Sequence, residues 1–107
     1  MARVEITHGQ GHKLYTAPIA VSAGTNTLVA AQPGLSIFVV SYVVVATGAG
    51  TVKFSDGSDL TGAMSFAANG GVAANGQASS PWFWTGAGNA LSIVTSGSVT
   101  GHLTYTY

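Results

Sequence analysis

Hydrophobic and polar positions alternate with a period of two in several short runs along the chain. The cleanest run is the last, where Thr100, His102, Thr104 and Thr106 interleave with Val99, Gly101, Leu103, Tyr105 and Tyr107. Such alternation puts one set of side chains on each face of a strand and predicts a strand with one buried face over 99–107. Residues 51–55 alternate in the same way. Residues 17–23, 27–31, 63–68, 72–74 and 90–95 are short apolar runs between turn residues, and each is read as a strand. Residues 35–46 differ. Five valines with Ile37, Phe38 and Tyr42 leave hardly any polar position, the pattern of a strand buried on both faces. One face is expected to meet the domain's own core, and the other a second layer or a second copy of the chain. The run is too short for a membrane helix, which needs about 18 apolar residues or more.

Turn signals separate these runs every 8–12 residues or so: Gly24 to Asn26, Gln32-Pro33-Gly34, 47–50, Asp56-Gly57, Asn69-Gly70-Gly71, Asn75-Gly76, 86–89 and Ser96-Gly97-Ser98. Asn-Gly pairs favour positive φ and tight hairpins. No segment has a helical period. About eight short strands predict an all-β fold, an antiparallel β-sandwich of the jelly-roll kind. Residues 1–16 have a weak pattern and are read as an N-terminal arm ordered by a partner, with the sandwich over 17–107.

Composition alters this picture in one respect. Charged residues are 6% of the 107, against about 25% in soluble domains. A surface of Ser, Thr, Asn, Gly and apolar groups keeps monomers apart poorly, so much of it is expected to be covered by neighbouring subunits. The formal net charge of zero argues against nucleic acid and anionic membranes as partners, because phosphate contacts need clustered Lys and Arg. With no cysteine, disulfides, thiol catalysis and thiolate metal sites are excluded. The N-terminus has no apolar segment of the secretory-signal type, which points to synthesis in the cytoplasm.

Candidate chemistry is sparse. His8 and His12 lie four apart, with His102 as a conceivable third ligand, but Gly9 and Gly11 disfavour the helix that would converge them. They are read as solvent or interface histidines. The 55–59 stretch holds Asp56 and Asp59 as a calcium loop would, without the further carboxylates that calcium needs; a β-turn is the simpler reading. In Trp82-Phe83-Trp84 the two indoles share one strand face and Phe83 takes the other. The indoles either cap the core, form a subunit or partner interface, or stack on a glycan. Three carboxylates dispersed from the histidines, and no nucleophile elbow, phosphate loop or dinucleotide fingerprint, argue against an enzyme and against a cofactor.

The order of these features resembles a family of small β-sandwich modules in tailed bacteriophage virions, the head decoration or cement proteins. The resemblance is carried by the strand 41–46, Gly50-Thr51-Val52-Lys53-Phe54, Leu60-Thr61-Gly62, Asn69-Gly70-Gly71, Trp82-Phe83-Trp84, Gly88-Asn89-Ala90-Leu91 and Gly101-His102-Leu103-Thr104-Tyr105. It spans about three quarters of the chain, from Asn26 onward. It implies a homotrimeric jelly roll on the outer surface of a capsid, partnered by the major capsid protein and without enzymatic activity. Related sandwiches on fibres and tails make a receptor- or glycan-binding module the alternative. Residues 1–16 fall outside the resemblance.

Overall fold

The computed structural model describes residues 4–7 and 13–107. Among them are ten strands and no helix: β1 (Val4–Thr7), β2 (Lys13–Val21), β3 (Gly24–Val29), β4 (Phe38–Ala46), β5 (Gly50–Ser55), β6 (Met64–Phe66), β7 (Gly71–Ala74), β8 (Phe83–Trp84), β9 (Leu91–Thr95) and β10 (Val99–Thr106). They form two antiparallel sheets. Sheet A runs β1-β2-β10-β4-β7 with β8 also paired to β4, and sheet B runs β3-β9-β5-β6.

The pairing follows a nested order. β5 pairs β6, β4 pairs β7, β3 pairs β9 and β2 pairs β10. The chain is thus a long ribbon folded back on itself at the 56–63 connection. β10 against β4 and β9 against β5 then close the ribbon into two sheets. This winding is that of a jelly roll, so the all-β sandwich expected from the turn spacing is the fold observed.

Sheet A contributes Ala17, Ile19, Val39, Val44, Leu103 and Tyr105 to the core between the sheets, and sheet B contributes Leu28, Val52, Phe54, Leu91 and Ile93. Each sits at one parity of its strand, except in β4, where a bulge at Val40 shifts the parity between Val39 and Val44, so one pleat face of each sheet is removed from water. An aromatic trio ties the layers together: Tyr42 of β4, Phe54 of β5 and Phe83 of β8 have ring centroids 5.0–6.0 Å apart. At one glycine the assembly leaves no alternative. Gly101 has φ +150°, and a Cβ there would overlap the carbonyl oxygen of Val43, so the close approach of β10 to β4 requires its absence.

Four sequence expectations are corrected. The boundary drawn at 16/17 falls inside β2, and residues 4–7 pair with it. The first strand is therefore Lys13–Val21, not 17–23, because Tyr15 stacks on Tyr105 at 5.4 Å and joins the pleat that 17–21 continues. The second strand begins at Gly24, where a turn was expected, since Gly24 already pairs with Thr95. The 69–71 turn does have the positive φ expected, at Asn69, and Gly70 donates to the carbonyl of Ala67. It is not a hairpin, however. It carries the chain from β6 in sheet B to β7 in sheet A, anchored by Asn69 N–H on the carbonyl of Ala46 and Ala46 N–H on that of Gly70. Finally, among the described residues no second sheet covers the outer face of β4, so of the two covers expected there the second layer is absent. Val39, Tyr42, Val44 and Ala46 face the core side, whereas Val43 is half-buried and Val45 is 37% exposed.

Candidate functional site

The aromatic step at β8 is assembled from the inside out. Phe83 is buried in the core trio, which removes it from water and stabilises the strand by roughly 1.5–3 kcal/mol. Strand alternation then forces its two neighbours outward. Trp82 and Trp84 are each 55% exposed. Both indoles are exposed on either side of the buried Phe83, and neither lies in the core. Backbone bonds extend the short strand at both ends. Trp82 N–H donates to the carbonyl of Val39 at 2.9 Å, and Thr85 N–H donates to that of Ile37 at 3.0 Å. Ile37 N–H returns a bond to the Thr85 hydroxyl at 2.9 Å, in a buried setting where an unpaired hydroxyl would be costly.

The two indoles differ in surroundings. Trp84 lies opposite Phe38, with ring centroids 6.1 Å apart. Trp82 instead borders the 75–82 loop. That loop turns tightly, with Ser80 N–H on the carbonyl of Gln77 at 2.9 Å. It lies against Val40, which β10 leaves unpaired in a bulge between its Thr104 and Tyr105 positions. Val40 is buried although it lies outside the core cluster. Bulges of this kind re-aim side chains and kink the strand. Asn75, Gly76, Gln77, Ser80, Pro81 and Trp82 enclose a cleft of about 440 Å³. A smaller one, of about 270 Å³, opens on the other side of Pro81 beside Phe38 and Tyr107.

The outer face of sheet A continues from this aromatic end. Pro18, His102, Val43 and Ala73 form one cross-strand row. Ala20, Thr100, Val45 and Gly71 form the next, and Thr16, Thr104 and Ser41 a third. None of these side chains is charged, and His102 is their one titratable group. Sequence reasoning missed this face as a unit, because its rows join residues as distant in the chain as Thr16 and Thr104. The low charged fraction was the available signal.

Of the remaining candidates, Asp56 and Asp59 have structural roles. His102 is exposed on β10; His8 and His12 lie outside the described residues. Among the described residues, no three His, Asp or Glu side chains converge as metal ligands would. Asp56 accepts hydrogen bonds from the N–H of Gly86 at 2.7 Å, that of Ser58 at 3.1 Å and the amide of Asn89 at 3.3 Å. These donors, Gly86 foremost, hold its carboxyl below the usual carboxylate range, against a weaker opposing effect of burial. Asp59 pairs with Lys53 at 2.9 Å on an exposed surface. The 55–59 stretch is thus a turn latched to the 86–89 loop.

No protein-family model matches the chain, and no curated protein does. Among solved structures, the capsular polysaccharide assembling protein CapF from Staphylococcus aureus aligns over 97% of this chain, at 10% identity and a TM-score of 0.28. The chain spans 30% of that protein's length. A likeness at this level carries no argument about fold or function.

Proposed function

We propose that this protein is a decoration (cement) protein of a tailed bacteriophage. It is made in the host cytoplasm, assembles as a homotrimer and docks without catalysis on the outside of the assembled head. The observation that carries the reading is the uncharged outer face of sheet A, from Pro18 and His102 to Val43 and Val45. A second copy of the chain is its occupant. With no like charges to oppose contact, Val43 and Val45 gain from leaving water against a neighbour. Closed three-fold symmetry uses such a face once per subunit and leaves the trimer a common base for the major capsid protein. The resemblance of the 41–105 motifs to phage sandwich modules supports the same reading. So does the engagement of Asp56 and Asp59 in a turn and an ion pair. A ligand that binds the assembled shell and not its free subunits opposes disassembly by mass action, by about 2.7 kcal/mol per site at a hundredfold excess over Kd.

Light scattering of the purified chain, followed by co-sedimentation with shells of the phage that encodes it, tests the proposal. The expected result is a trimer that pellets with shells to saturation and ignores unassembled capsid subunits. A trimer that stays in the supernatant overturns it. The alternative, a receptor- or glycan-binding module of a fibre or tail, draws on the exposure of Trp82 and Trp84. It predicts binding to host cells without binding to shells.

A further inference from the structure

The cleft beside Trp82 has a chemistry of its own. Its walls combine an indole with the side-chain amides of Asn75 and Gln77, the hydroxyl of Ser80 and the ring of Pro81, and none of the described residues lining it is charged. At about 440 Å³ it lies in the size range of small-ligand sites. An anionic ligand would find no cation among the described lining residues, and a purely apolar one would leave both amides without partners. A neutral pyranose suits both parts of the wall. The C–H groups of one ring face stack on an aromatic surface, and its hydroxyls donate to and accept from amides, which offer both functions.

The wall is also held in place before any ligand arrives. A Cβ on Gly76 would come within 3.1 Å of the Trp82 Nε1 and 2.6 Å of the Val40 carbonyl oxygen, so the indole edge lies against loop backbone that glycine alone leaves free. The Gln77–Ser80 turn and the bond from Trp82 N–H to Val39 secure the two ends of the loop. A preformed wall lowers the ordering cost that weakens small-ligand binding.

We infer that this cleft binds a neutral saccharide, stacked on Trp82 and hydrogen-bonded by Asn75, Gln77 and Ser80. Trp84, engaged with Phe38, is not part of it. The inference does not depend on the trimer or on the shell, which rest on sheet A. Its failure leaves the docking proposal standing, and the converse holds too.

The chain has two tryptophans, so two indole N–H signals report on it in a ¹⁵N-labelled sample, assigned with Trp84→Phe. Maltotriose, cellotriose and chitotriose are titrated separately to about 20 mM, which covers the millimolar Kd expected of an open sugar site. At least one trisaccharide is expected to move the Trp82 signal saturably while the Trp84 signal stays nearly still. Trp82→Ala should weaken that binding tenfold or more, Gln77→Ala severalfold, and Trp84→Ala not at all. No saturable shift with any of the three overturns the inference, as does binding that survives Trp82→Ala. The wild-type titration decides the matter even if a variant does not fold.

Discussion

The outer faces of the two sheets are built from the same backbone geometry and differ in nearly everything else. On sheet B the exposed pleat carries Thr25, Thr27, Thr51, Ser65 and Ser92, with Lys53 beside Val94 and paired to Asp59. That is an ordinary solvated face, where alternation sends apolar groups inward and polar groups to water. On sheet A the equivalent positions are Pro18, Ala20, Val43, Val45 and Ala73, relieved by threonines, Ser41 and His102. Such a surface offers water few polar partners, and its described positions carry no Asp, Glu, Lys or Arg. The difference in character between the two outer faces follows from the pleat parity of β4 and β10.

Sheet A also tolerates less change, and the largest effect tests that. Gly101→Ala would press a methyl group into the Val43 carbonyl at a positive φ, at an expected cost of about 3 kcal/mol or more. Gly24→Ala on β3 of sheet B has a positive φ but open space around it, and should cost about 1 kcal/mol. Urea unfolding of the two variants compares them directly. Equal losses would remove the idea that the β10–β4 junction is the tighter one.

The next test is of association. Val43→Asp and Val94→Asp place the same charge on a half-buried valine of each outer face. The first should lower the association constant at least tenfold, about 1.4 kcal/mol, and bring the scattering mass from three chains toward one. The second lies beside Lys53 and should leave the mass unchanged. Dissociation by both, or by neither, would separate self-association from the face of sheet A.

A smaller effect concerns the latch between the turn that follows β5 and the loop that precedes β9. The folded-state pKa of Asp56 is depressed, so its stabilisation is present above the ordinary carboxylate value. It is lost as pH falls from about 4 through the folded pKa. Asp56→Ala should cost about 1 kcal/mol at neutral pH and flatten the acid limb of a Tm–pH profile. An unchanged acid limb would show that the latch does not contribute. The smallest effect is Lys53→Ala, which breaks an exposed ion pair on sheet B and should shift stability by at most about 0.5 kcal/mol. A larger shift by thermal unfolding would mean that sheet B's polar surface contributes more than solvation.

Much of this was legible in the chain, and the reason differs by element. The parity of β10 and the outward pair Trp82 and Trp84 follow from alternation, a property of neighbouring residues that holds in any sheet. The fate of those indoles was not legible, because it depends on Phe83 finding Phe54 and Tyr42 from distant strands. The Asn69 turn was legible as a turn but not as a crossing between sheets, since the same positive φ serves both. Residues 13–16 looked like part of an arm because their pattern is weak alone. They join β2 through pairing with β10, as in Thr16 opposite Thr104.

By itself, then, the sequence determined the all-β class, most strand positions, the inward and outward sets along each strand and the near-absence of charge, all local consequences of residue type. Tertiary structure alone decided which strands adjoin, that β4 leaves Val43 and Val45 uncovered, that a bulge at Val40 seats the 75–82 loop, and that the cleft forms beside Trp82. Those features arise from backbone pairing between distant segments, where the hydrogen-bonding groups are the same in every residue and carry no record of their partner.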